Sequence, residues 1–130
     1  MIREQQLGAG HPDTANSLNN LAGVYLEQGQ YEQARSLYER ALSIREQQLG
    51  PGHPDTATSL NNLAELYYKQ GKFEQAEPLC ERALAICGRA LGEQHPLTAL
   101  MSENYAVLLL QMGRESEARE VLMRLGTHSV

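Results

Sequence analysis

The chain has 130 residues, 42% of them apolar, with no tryptophan and a formal net charge of −5. This acidic balance, with no basic arm and no run of like charge, argues against nucleic acid, whose binders carry a basic patch. No apolar run approaches the roughly 18 residues of a membrane span, the N-terminal MIREQQLG lacks a signal peptide's apolar core, and two cysteines are too few for a disulfide framework, so a cytoplasmic location is the expectation.

The chain repeats itself every 42 residues. At that offset His11, His53 and His95 superpose, as do Gly29, Gly71 and Gly113, and Ala34, Ala76 and Ala118. Residues 1–42 and 43–84 are identical at 30 of 42 positions. A fixed period of this size marks a stacked repeat protein, in which each unit buries its apolar face against the next. Residues 1–10 match 43–52 at all but two positions, so the chain opens in mid-repeat. Residues 1–8 read as the end of a preceding helix, from a natural start or from a longer array.

Each GHPDT block, at 10–14 and 52–56, reads as a helix start. Proline suits the first helical position, and Asp13 or Asp55 meets the positive end of the helix dipole. The third copy, QHPLT at 94–98, lacks the charge. From Pro12 to Gln28, Leu18, Leu21, Ala22 and Tyr25 share one helical face. Gly29 ends that helix by taking the left-handed conformation. A partner helix follows over Tyr31–Gln48, with Ala34 and Ala41 small enough for close approach. The second unit predicts helices over 54–70 and 73–91. Pro78 lies inside the latter, deep enough to predict a bend or a late start. The third predicts helices over 96–112 and 115–125, with the first apolar on nearly all sides and the tail after Gly126 frayed. The units run over about 11–49, 53–91 and 95–126 in one domain, 1–130.

The spacing Leu21-Ala22-x-x-Tyr25, Gly29, Ala34, Tyr38, Ala41 resembles the tetratricopeptide repeat (TPR). So does Leu63-Ala64, Tyr67, Gly71, Ala76, Cys80, Ala83; the third set, with Tyr105, Leu109, Leu122 and Leu125, is weaker. The 42-residue period, with LNNLA and LG-x-x-HP-x-T, resembles the kinesin light chain type and bacterial arrays of that type. The resemblance covers about 2–125. It implies an all-α, right-handed superhelical solenoid of antiparallel helix pairs, three in number after the partial helix. It also implies a concave groove lined by the first helix of each pair, where family members bind peptides or protein segments. In bacterial arrays such repeats often form the sensor part of a larger signalling protein.

Counting round each first helix, the groove stripe holds Asn16, Asn19, Gly23, Leu26 and Glu27, then Thr58, Asn61, Glu65, Tyr68 and Lys69, then Leu100, Glu103, Val107 and Leu110. Asn19 and Asn61 are the strongest candidates, because an amide can bond a peptide backbone as donor and acceptor. The resemblance implies the same use of the asparagines in LNNLA. Asn20 and Asn62 point about 100° away, toward the neighbouring repeat. With only Lys69 as a cation, the stripe does not suit a carboxylate tail, and Glu27, Glu65 and Glu103 favour a neutral or cationic ligand. The histidines sit on successive turns roughly 10 Å apart, a helix-packing distance, too far to share a metal; capping or packing is their expected role. Cys80 is expected in the core and Cys87, aligned with Arg45, at the surface. No cofactor, metal or catalytic set is evident, so the expectation is a non-catalytic binding scaffold, with self-association through the solenoid ends as the alternative.

Overall fold

A computed structural model of the chain describes residues 10–128, with side chains described as far as Arg124. The partial helix expected at 1–8 and the last two residues lie outside this range. The described residues form six helices: α1 (Pro12–Glu27), α2 (Tyr31–Gln48), α3 (Pro54–Lys69), α4 (Phe73–Leu91), α5 (Pro96–Gln111) and α6 (Glu115–His128). They pack as α1 on α2, α3 on α4 and α5 on α6, and the pairs join through α2 on α3 and α4 on α5.

The same local chemistry starts and stops the units. His11, His53 and His95 are the N-caps of α1, α3 and α5, and each ring Nδ1 accepts from the backbone N–H two residues on, at 3.0 Å. The three rings therefore serve separate helix starts. At the other end of each first helix the chain reverses through a glycine, Gly29, Gly71 or Gly113, each near φ +77°. In the second unit Lys72 N–H donates to Tyr67 C=O at 2.8 Å and Gly71 N–H to Tyr68 C=O at 3.0 Å, which is the double-bonded Schellman closure.

Small residues set the distance between helices. Ala15, Ala22, Ala34, Ala41, Ala57, Ala76 and Ala83 are fully buried. Around them the core forms clusters that each draw on successive helices: Ala22, Leu26, Ala34 and Tyr38 meet Leu63 and Leu66 of α3, and Ala64, Ala76 and Cys80 meet Tyr105, Leu108, Leu109 and Ala118. An ionic cluster adds to the later junctions. Arg114 donates to Glu77 at 2.7 Å and also pairs with Glu117, while Tyr105 Oη donates to Glu81 at 3.0 Å. The Arg114 hydrogen bond holds the Glu77 carboxyl below its ordinary pKa.

Three expectations are corrected here. Of the two alternatives at Pro78 the late start is excluded: the helix spans the expected Phe73–Leu91; the carbonyl that Pro78 leaves unbonded belongs to the first turn, and Pro78 is exposed. α6 runs through Gly126 to His128, because glycine in a helix costs only about 1 kcal/mol relative to alanine. Cys87 is fully buried, since Arg45, the residue it aligns with, is itself only 7% exposed.

Gly71→Ala should lower stability by about 1–2 kcal/mol, the cost of holding a Cβ in the left-handed region, while Gly52→Ala, at a negative-φ turn position with open space around it, should change it by under about 0.5 kcal/mol. Urea unfolding followed by circular dichroism measures both.

Candidate functional site

The first helices expose one face each, and the sequence stripe falls unequally on it. Leu26 is 5% exposed and packs with Ala22, Ala34 and Tyr38, so it belongs to the core and not to the groove. Its counterparts Tyr68 and Leu110 are half-buried and exposed, respectively. The helical phase is the same in all three; what differs is the bulk behind them.

Arg45 engages Asn16 and Asn19 from beneath, although Asn16 is exposed and Asn19 half-buried. Its guanidinium enters the joint between α2 and α3, donating to Asn16 Oδ1 at 2.6 Å, Ser59 Oγ at 2.9 Å and Asp55 C=O at 3.1 Å. The Asn19 amide, with its oxygen toward the guanidinium, accepts at 2.9 and 3.3 Å. Burial pulls the Arg45 pKa down, and nearby Asp55 acts in the opposite direction. A buried charge is tolerated when its donors are satisfied, and these acceptors satisfy it. With the amide in that orientation, which the donors around it favour, the Asn19 oxygen is engaged by Arg45.

One repeat later the arginine is Cys87, and the serine opposite is Met101. Both are buried in an apolar cluster with Ala57, Leu60 and Ile86. With no guanidinium in this joint, Asn61 turns to the next repeat and accepts from Asn104 Nδ2 at 3.4 Å. Asn104 stands at the Asn20 and Asn62 position, so a contact with the neighbouring repeat is what that position makes here.

Asn61 and Asn104 edge a cleft of ≈ 360 Å³ between α3 and α5. Ala64, Ala76, Cys80 and Leu108 make an apolar floor, and Glu65, Tyr68, Lys69 and Val107 complete the wall. The cleft exists because Cys80 is small: its counterpart Tyr38 extends its hydroxyl toward Gly23 and takes up the equivalent space. Tyr68 is braced by Phe73, with ring centroids 5.5 Å apart and planes tilted by 51°. Glu65 and Lys69 lie 3.8 Å apart across one turn. Burial, with Glu77 and Glu81 adding to it, pushes the Cys80 thiol up to about 11, so it lines the floor as a neutral group and not as a nucleophile.

Of the stripe, the structure brings together Asn61, Glu65, Tyr68, Lys69 and Val107. Leu100, Glu103 and Leu110 are exposed along α5 outside this lining. Glu27 is exposed on α1 and Gly23 is half-buried beside Tyr38. Thr58 bonds its hydroxyl back to Pro54 C=O at 3.3 Å. Sequence reasoning missed Asn104 and Cys80 as lining residues. A signal was present in the repeat register: Asn104 keeps the asparagine of Asn20 and Asn62, and Cys80 departs from Tyr38.

Paired helices stacked through repeated joints, with a cleft on the first-helix face, define a helical repeat scaffold. The tetratricopeptide repeat model matches residues 2–47, 13–86 and 55–125, and the chain belongs to that family. Among solved structures it is similar to a putative kinesin light chain with nearly identical TPR-like repeats from Podosopora anserina, at 28% identity and TM-score 0.78 over 97% of this chain and 60% of that one. BtubC (BKLC) from P. vanneervenii is 30% identical, with TM-score 0.80, over 95% of this chain and 50% of that one. The chain thus spans 50–60% of the length of these two. The N-terminal domain of stress-induced protein-1 from C. elegans, at 23% identity and TM-score 0.69 over 88% of this chain and 83% of that one, shares the fold. No curated protein matches the sequence. Among the described residues no helix is long and apolar enough to cross a membrane.

Arg45→Cys should destabilise the chain by about 3 kcal/mol, as removal of one member of a buried polar set does. Adding Ser59→Met, which reproduces the second joint, should recover about 1 kcal/mol or more as a non-additive coupling. A double-mutant cycle in urea checks this; strict additivity would sever the link between the two positions.

Proposed function

We propose that the chain is a non-catalytic, cytosolic module that binds a protein segment across the first-helix face, anchored in the α3–α5 cleft. TPR folds in general act as protein-interaction scaffolds, and the similarity to a putative kinesin light chain supports the same use here. The observation that carries the reading is the cleft itself: an apolar floor of ≈ 360 Å³ with amides at its edge, within the usual range of about 300–1,000 Å³ for a binding pocket. An apolar side chain fills the floor, and Asn61 and Asn104 face the backbone beside it. Glu65 and Glu103 favour neutral or basic neighbours in the ligand over acidic ones.

A random peptide library selected on the immobilised chain should yield sequences with an apolar anchor. Asn61→Ala should weaken a selected peptide about tenfold, equivalent to about 1.4 kcal/mol, and Cys80→Tyr should abolish its binding by filling the floor. Fluorescence anisotropy reads both. Peptides insensitive to both changes would place binding elsewhere.

A second reading, association of copies, is favoured by the exposed Val24 of α1 and Leu122 of α6. At the internal joints these positions are filled by Leu66 with Tyr38 and by Leu108 with Cys80. If copies associate end to end, the mass measured by light scattering should rise with concentration, and Leu122→Ser should return it to the monomer.

A further inference from the structure

A second cavity, separate from the cleft, lies where the third unit breaks its own repeat. Leu18 and Leu60 occupy equivalent positions and are fully buried. The third copy of that position is Ser102, 3% exposed. A serine cannot fill the volume of a leucine, and a cavity of ≈ 240 Å³ opens between α4, α5 and α6. Leu84 and Gly88 wall one side, and Thr98 and Ser102 of α5 the other. Arg89 and Arg124 border it from α4 and α6, and one carboxylate, Glu93, also lies on its edge.

Two features indicate what would enter. The Thr98 hydroxyl is buried with no hydrogen-bond partner, and the residue is 2% exposed. Its counterpart Thr56 donates to Gly50 C=O at 2.8 Å. A buried hydroxyl without a partner is costly, and Thr98 is one of the residues that line this cavity. The second feature is charge. Among the described residues neither Arg89 nor Arg124 has a hydrogen bond or ion pair, whereas Arg35, Arg45, Arg82, Arg114 and Arg119 all do. In an acidic chain, two unpaired guanidiniums border the same cavity that holds an orphan hydroxyl.

We infer that this cavity binds a carboxylate carried on a short apolar stem, as in a short-chain carboxylic acid or the terminal residue of a peptide. The stem lies against Leu84 and Gly88, the carboxylate accepts from the Thr98 and Ser102 hydroxyls, and Arg89 and Arg124 neutralise it. Planar guanidinium forks suit a carboxylate. The cavity is smaller than the usual pocket of about 300–1,000 Å³, which restricts it to a small group. It shares no lining residue with the cleft, so it does not depend on the peptide reading of that site.

The test is an NMR titration of the full chain with sodium butyrate, butyramide, N-acetyl-alanyl-valine, the C-terminal amide of that peptide, and inorganic phosphate. Butyrate should shift the Thr98 and Ser102 amide signals while butyramide leaves them in place. A shift with the acetylated peptide alone, absent with its amide, supports the terminal residue as the source; a shift with butyrate alone supports the free acid. Arg89→Gln and Arg124→Gln should each weaken binding about tenfold, the loss of one charged hydrogen-bonding partner. Ser102→Leu should raise the melting temperature and abolish binding; if that variant does not fold, the arginine variants decide. No shift with either carboxylate, meaning a water-filled cavity, overturns the inference. So do equal responses to acid and amide, or phosphate acting as well as butyrate.

Discussion

Each helix pair is too small to bury both of its apolar faces, and everything else in the molecule follows from that constraint. A first helix must satisfy its own partner on one side and the second helix of the preceding unit on the other. The alanines that line these contacts permit close approach, and the larger side chains at each joint then decide its character. Helix ends are settled locally by the histidine caps and the glycine reversals. The joints are settled only between units.

The two described joints solve the same problem with opposite chemistry. Between α2 and α3 a buried guanidinium gathers two asparagines, a serine and a backbone carbonyl. Between α4 and α5 the same places hold Cys87 and Met101 in an apolar cluster, and polar contact moves to Glu77, Glu81, Tyr105 and Arg114. Two consequences reach the surface. Asn61 is released to the cleft while its twin Asn19 is retained by the fold, and Cys80 leaves open the space that Tyr38 closes. Both changes arise from single substitutions between units, Arg45 to Cys87 and Tyr38 to Cys80, and the stack stands with either residue in place.

The fold was legible because its causes are periodic. The 42-residue offset, the proline and glycine punctuation and the alanine spacing act within or between neighbouring turns, and a helix wheel recovers them. Asn61, Glu65, Tyr68, Lys69 and Val107 could be placed on one face for the same reason. Leu26 could not, because whether a residue at that angle is core or surface depends on the side chain behind it. Cys87 was misplaced by a reasonable inference from arginine's usual exposure, which fails where the arginine is itself buried.

Order, length and pairing of the helices follow from residues close together in the chain, and so the linear pattern was sufficient for them. The locations of the open volumes were a tertiary matter. A cleft at Cys80 and a cavity at Ser102 arise when a small residue faces side chains from other helices, and substitution shows only that bulk was lost, not whether neighbours close over the gap. The joint chemistry is decided in the same way: Arg45 meets Asn16 across 29 positions of sequence, a distance over which local propensity carries no information and only packing brings donor and acceptor together.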